Sequence, residues 1–169
     1  QGIDPLNLDR TTAPIFLTRW ITHFCAPIFS FLAGTGACFA LARGKSKRDL
    51  SWFLVTRGLW LIFLELTLFM WFGWTFEVTV HSYVLATLWS LGWSMICLAA
   101  LLHLPVRAVG WCGLAMIVIH NAFDQVQPQS WGAWAWLWQV LHAGGNFTVA
   151  GRFHCWAFYP LLPWLGVMA

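Results

Sequence analysis

The chain has 169 residues, of which 60% are hydrophobic and only 9% are charged, with a formal net charge of +3. About a quarter of the residues in a soluble domain are charged, so this composition excludes an ordinary soluble domain and indicates a protein that crosses a lipid bilayer several times. The fourteen tryptophans support this prediction because Trp collects at the two membrane interfaces. No basic face of the kind that binds nucleic acid is present, so the expected partner is lipid.

The first predicted span covers about residues 20–41, and two ionisable side chains lie at its start: Arg19 just before it and His23 within it. Such a group in lipid costs roughly 2.5–3.5 kcal/mol on insertion scales, so we expect both to face a protein interior or a water-filled site. Farther along the same segment, Gly34 and Gly36 belong to a small-residue surface that permits close contact with another helix. This segment is therefore predicted to form one wall of a polar site.

A strongly basic loop follows, with four positive side chains in six residues: Arg43, Lys45, Lys47 and Arg48. Under the positive-inside rule this loop is cytoplasmic, which puts the N-terminus of the chain outside. The same charges could instead form a docking patch for the phosphates of an anionic donor molecule. The orientation rule already accounts for them, so topology is the simpler interpretation.

The second predicted span, about residues 50–72, carries Arg57 and Glu65. Eight residues separate them, about 12 Å along a helix, so each needs a partner on another helix. One interpretation of Glu65 is a structural pair with Arg19 or His23. The other is a catalytic or substrate-contacting carboxylate, which we slightly favour because structural polar groups in lipid seldom need a full charge.

The third and fourth predicted spans cover about residues 84–102 and 108–122, and the fourth ends in His120, Asn121 and Asp124. His120 and Asp124 are separated by four positions, so they share one face if the helix continues that far. An acid that orients a histidine is typical of a general base. A hydrogen bond at a helix end with no chemistry is an equally good interpretation.

The last part of the chain is predicted to lie outside the membrane and then to enter it. An interfacial or re-entrant helix is expected at about residues 131–142, ending in His142, and a final span starts near residue 154 and is cut off at 169. The chain begins without Met, and its last apolar run is too short to cross about 30 Å of hydrocarbon. The predicted fold is thus an all-α bundle of about five spans, incomplete at both ends.

The five cysteines lie inside or beside apolar segments, and none of their spacings is typical of a metal site. We expect them to pack as small apolar residues, and no resident metal is predicted.

The predicted topology brings seven polar groups towards the outer side: His23, Glu65, His120, Asn121, Asp124, His142 and His154. Histidine titrates near neutrality, and a neighbouring carboxylate can hold one tautomer and raise its basicity. That chemistry suits proton abstraction from an acceptor hydroxyl or amine during acyl transfer. It suits a proton-coupled transport pathway nearly as well, and both interpretations stay open on the residues alone.

Four segments, in order along nearly the whole chain, together resemble bacterial members of the heparan-alpha-glucosaminide N-acetyltransferase catalytic-domain family. They are HFCAPIFSFLAGT at 23–35, TRGLWLIFLE at 56–65, LWSLGWSM at 88–95 and YPLLPWLG at 159–166. The resemblance implies an integral-membrane acyltransferase of the bacterial inner membrane. It would take acetyl-CoA from the cytoplasm and acetylate an acceptor, such as a sugar, on the far side.

Roles for the polar residues follow by combining this resemblance with the topology. His23 or His120 would accept the proton of the acceptor, with Glu65 and Asp124 orienting it. The expected acceptor contacts are Arg19, Asn121 and His142. Arg57 would lie deeper, against the thioester or a donor phosphate, and acetyl-CoA would dock on the basic loop through Arg43, Lys45, Lys47 and Arg48. Self-association of the chain stays open.

Overall fold

The computed structural model describes residues 12–75, 82–149 and 151–169, and about 75% of the chain is helical. The α-helices are α1 (Ala13–His23), α2 (Cys25–Ala42), α3 (Lys47–Leu64), α4 (Thr87–Leu101), α5 (Val106–His120), α6 (Ala135–Trp138) and α7 (Leu161–Met168). The strands are β1 (Ser82–Leu85), β2 (Gly145–Val149) and β3 (Phe153–Ala157). Wider π-type turns continue α3 over Glu65–Thr75 and α6 over Gln139–Ala143.

Three helical segments are long and apolar enough to cross a membrane: Ala13–Ala42, Lys47–Trp71 and Val106–Phe123. The first contains both α1 and α2, which only Phe24 separates. Helix α4 is apolar but shorter. The structure therefore agrees with a helical membrane protein, whereas the five spans and the outward N-terminus stay predictions.

Helices α3 and α4 pack against each other along a glycine contact. A Cβ atom added at Gly58 would lie 2.5 Å from the carbonyl oxygen of Gly92, and one added at Gly92 would lie 2.6 Å from that of Gly58. The short helix α7 packs against α2, α4 and α5, with Gly34 of α2 directly against the backbone of Met168. Small residues thus allow close helix contact at Gly34, as the sequence predicted, while a Cβ atom added at Gly36 would meet none of the described neighbouring atoms within 4 Å.

The α2–α3 and α4–α5 connections lie at the same end of the bundle. Ser46 caps α3 by accepting a hydrogen bond from the Asp49 amide at 3.1 Å, as small hydroxyl residues commonly do at a helix start. Lys47 Nζ donates to the carbonyl oxygen of Leu104 at 3.3 Å, and Ser51 Oγ donates to that of Ala99 at 2.8 Å. The basic loop is therefore joined to the turn that starts α5.

A three-stranded sheet, absent from the predicted all-α fold, lies at the start of α4, the end opposite the α4–α5 connection. Its order is β1-β3-β2, with β1 parallel and β2 antiparallel to β3. The predicted final span at 154–169 is wrong, because β3 occupies its first part and only Leu161–Met168 is helical. Half-buried and exposed side chains alternate along β3, as is typical of a strand. The mean apolar content of the segment does not reveal this alternation, and it therefore suggested a helix.

The third predicted span, expected at about residues 84–102, corresponds to α4. This helix begins later than predicted, at Thr87, because Ser82–Leu85 form a strand. The sheet packs over a small apolar cluster that includes Leu85, Trp89 and Ala157.

The aromatic segment predicted as an interfacial helix is helical but irregular. It comprises a 3₁₀ stretch (Pro128–Trp134), α6 and the π turn, with a break at Gly132, whose φ is 51°. It ends at Gly144, where a φ of 67° favours glycine. Its inward face buries Trp138, Val140 and His142.

Candidate functional site

His120 is the last residue of α5, and the chain beyond it tightens into a 3₁₀ turn, Asn121–Phe123, before reaching Asp124. The α-helix therefore does not continue to Asp124, as the shared helix face would require, yet ligand atoms of His120 and Asp124 still lie within 4.8 Å of each other. The interaction that the structure shows, however, links each of them to a third residue from a distant part of the sequence.

That third residue is His142, in the π turn Gln139–Ala143, and it is 5% exposed. Aromatic rings enclose it: the Trp138 ring lies 4.8 Å from the imidazole, centroid to centroid, and that of Phe123 lies 6.3 Å away. Trp138 is itself fixed, because its indole Nε1 donates a 3.1 Å hydrogen bond to the carbonyl oxygen of Val126. The loop after α5 and the turn that carries His142 are thereby held together.

His142 bridges the other two side chains. Its Nδ1 lies 2.9 Å from Nδ1 of His120, and its Nε2 lies 3.3 Å from Oδ1 of Asp124. The Asp124 side chain is 63% exposed, whereas that of His142 is only 3% exposed. The three side chains form a row that runs from a solvated carboxylate through a buried imidazole to a second imidazole.

The hydrogen-bonding capacity of imidazole determines how protons are arranged in this row. A carboxylate only accepts, so Asp124 accepts the Nε2 proton of a neutral His142. The Nδ1 of His142 then has a lone pair, which accepts the Nδ1 proton of His120. In this tautomer His120 keeps a lone pair on Nε2, and it is that atom which can take up a further proton.

All three residues border an open cleft of about 570 Å³. Its lining consists of His120, Asn121, Asp124, Val126, Gln127, Pro128, His142, Ala143 and Pro160. The cleft is large enough for a small acceptor molecule. Four of the predicted site residues, His120, Asn121, Asp124 and His142, are thus brought together.

Glu65 is buried at another position, where α3 continues into its π turn. It is 3% exposed, and its Oε2 accepts a 3.0 Å hydrogen bond from the amide of Leu88 in the first turn of α4. Acidic groups stabilise a helix N-terminus, where backbone amides have no partner within the helix. This contact gives Glu65 a structural role with a partner other than the predicted Arg19 or His23, and its catalytic role stays a prediction.

The other polar residues predicted to lie on the outer side are not part of the row. His23 is exposed at the last position of α1. His154 is exposed on β3, with its Nδ1 3.3 Å from the hydroxyl of Thr148. The side chain of Arg19 lies outside the described residues.

The predicted donor-binding residues Arg43, Lys45, Lys47 and Arg48 are all exposed at the end of the bundle where α3 begins. The ammonium of Lys45 lies 4.6 Å from the centre of the Phe53 ring, and the guanidinium of Arg57 lies 5.5 Å from the same ring. Since Val106 and His120 are at opposite ends of α5, about 21 Å separates the two levels along the helix axis. The structure therefore keeps the basic residues and the histidine row well apart.

Comparisons with protein-family models, with curated protein sequences and with solved structures find no match to this chain. The resemblance to the N-acetyltransferase family therefore rests on the four segments alone, and function has to be argued from the geometry.

Proposed function

We propose that this chain belongs to an integral-membrane acyltransferase that activates its acceptor with the row Asp124, His142 and His120. The observation that carries the proposal is the 2.9 Å contact between the two imidazoles at the wall of the cleft. An acceptor hydroxyl or amine in the cleft would give its proton to Nε2 of His120. Proton transfer by a positioned histidine typically contributes about 10²–10⁴-fold to a rate.

The row can spread the charge that this step creates. When His120 gains a proton at Nε2, its Nδ1 proton can pass to Nδ1 of His142. His142 then carries the positive charge in a buried position, where the Asp124 carboxylate stabilises it. The acceptor oxygen or nitrogen forms a bond to the acyl carbonyl carbon, the carbon–sulfur bond of the thioester breaks, and the relayed proton returns to the departing thiolate.

The donor in this proposal is acetyl-CoA, as the family resemblance implies. Its phosphates would contact the basic loop, which the positive-inside rule assigns to the cytoplasmic side of a bacterial inner membrane. Arg57 lies ten residues into α3, about 15 Å from the start of that helix, and so at an intermediate depth. In this proposal Arg57 contacts the thioester or a donor phosphate at that depth.

The test is acceptor-dependent consumption of acetyl-CoA by the purified full-length protein, with amino sugars and simple hydroxyl compounds as acceptors. We expect His120→Ala to lower kcat by about 10²–10⁴-fold. The matched control is His154→Ala, an exposed histidine outside the row, which should keep wild-type turnover. Unchanged turnover in His120→Ala would exclude His120 as the base.

A proton-coupled transporter is the second candidate, because the row connects an exposed carboxylate to a buried imidazole, as a proton path requires. Liposomes containing the protein distinguish the two functions. Substrate uptake driven by a pH gradient, without any acetyl-CoA consumption, would favour transport and contradict the acyltransferase.

A further inference from the structure

The same three side chains have the composition of a transition-metal site. One nitrogen from each of His120 and His142 and one carboxylate oxygen of Asp124 all lie within 4.8 Å of one another. Two imidazoles and a carboxylate form a donor set common at zinc sites that keep an open coordination position, whereas magnesium and calcium prefer oxygen ligands alone. This combination was not evident from sequence spacing, since 22 positions separate the two histidines.

The distances fit such an ion after a small adjustment. Zinc binds nitrogen and carboxylate oxygen at about 2.0–2.2 Å, so neighbouring ligand atoms in a tetrahedral site lie roughly 3.3 Å apart. The two Nδ1 atoms, at 2.9 Å, would have to separate slightly. The Asp124 carboxylate can move towards the ion, because its side chain is 63% exposed in the turn after α5.

We propose that His120, Asp124 and His142 bind Zn²⁺ and that the bound ion inhibits acyl transfer. The inhibition rests on the proposed function; the metal site itself does not. In the relay both nitrogens of His142 are engaged, Nε2 with Asp124 and Nδ1 with His120. Coordination through either nitrogen therefore breaks the relay. The cleft supplies the route by which the ion enters, and water from the cleft completes its coordination.

The experiment measures metal binding directly on full-length protein purified in detergent and freed of metal by a chelator. Isothermal titration gives the affinity for Zn²⁺, and visible absorption with Co²⁺ as a probe reports the coordination geometry. We expect one Zn²⁺ per chain, and at least a tenfold loss of affinity in His120→Ala, Asp124→Ala and His142→Ala, because each removes one ligand. His154→Ala is the control and should bind as the wild type does.

Asp124→Ala is the decisive variant, since an exposed side chain can be removed with little effect on folding, unlike the buried His142. If Zn²⁺ does not bind, or binds equally well to Asp124→Ala, the metal site is wrong. If Zn²⁺ binds at these residues but increases turnover, the inhibition is wrong.

The two proposals fail in different ways. A protein that binds Zn²⁺ through these residues but transfers no acyl group keeps the metal site and loses the proposed function. A protein that transfers acyl groups and is indifferent to Zn²⁺ keeps the function and loses this inference.

Discussion

His120 and His142 are 22 positions apart in sequence, yet their Nδ1 atoms lie 2.9 Å from each other. The contact joins the end of a long apolar helix to a π turn beneath an aromatic cover. One of the two atoms must carry a proton and the other a lone pair, so the protonation of one ring determines that of its neighbour. The tautomer is in turn fixed by Asp124 at the opposite side of His142.

The first prediction concerns Asp124 as a positioning residue that acts through His142. Asp124→Asn can offer an amide N–H to Nε2 of His142, which favours the tautomer that breaks the relay. We expect kcat to fall about 100-fold while KM for the acceptor changes little, because substrate binding does not need the relay. Steady-state kinetics with the acceptor varied measure both constants. A rise in KM at constant kcat would show that Asp124 only binds substrate.

Part of this site was accessible from sequence. The i, i+4 spacing indicated that His120 and Asp124 lie close together, although the helix that was to align them ends at His120. The apolar runs correctly indicated helices long enough for a membrane. The central position of His142 was not accessible, because it depends on a contact between segments far apart in the chain. Sequence periodicity describes local structure, and the wide turn that carries His142 has no periodic signal.

The sheet was missed for a related reason. β3 has only five residues, and its neighbours along the chain are so apolar that composition predicts a helical span through it. Its pairing with β1 and β2 satisfies backbone groups through residues up to about seventy positions away, which no local pattern reports. The structural partner of Glu65 was likewise hidden, since it is a backbone amide, that of Leu88, and not a charged side chain.

The second prediction separates the two interpretations of Glu65. Replacing a side chain that caps a helix start costs about 0.5–2 kcal/mol, so Glu65→Ala should lower the thermal unfolding midpoint in detergent. Glu65→Gln keeps an oxygen that can accept the hydrogen bond from Leu88 and should be closer to the wild type in stability. If Glu65→Gln is as stable as the wild type but loses about 100-fold in turnover, the catalytic interpretation is correct.

The third prediction tests the α3–α4 contact. Gly58→Ala and Gly92→Ala each place a methyl group within about 2.6 Å of a facing carbonyl oxygen, so the helices must move apart. Overpacking of this kind typically costs about 1–3 kcal/mol. Gly36→Ala is the control, because no atom lies within 4 Å of the added group and alanine favours helix. Thermal unfolding in detergent should rank the control at or above the wild type; equal midpoints for all three variants would show that the contact is looser than described.

The fourth prediction concerns the protonation of Cys155 on β3. Partial burial against the cluster below the sheet raises the pKa of its thiol, because desolvation disfavours the thiolate. Only the thiolate reacts with alkylating reagents, so Cys155 should react slowly near neutral pH, and its rate should rise only at a higher pH than that of an exposed thiol. The comparison uses two single-cysteine proteins, one keeping Cys155 and the other carrying Thr148→Cys on the exposed face of β2.

Mass spectrometry after timed alkylation measures the rate of each protein across a pH series. At any pH below both pKa values, the thiolate fraction is smaller for the thiol whose pKa is higher, so the alkylation rate is lower for that thiol. The midpoint of the rate profile should therefore lie at higher pH for Cys155 than for Thr148→Cys. Coinciding profiles would mean that water reaches Cys155 as readily as it reaches the outer face of the sheet.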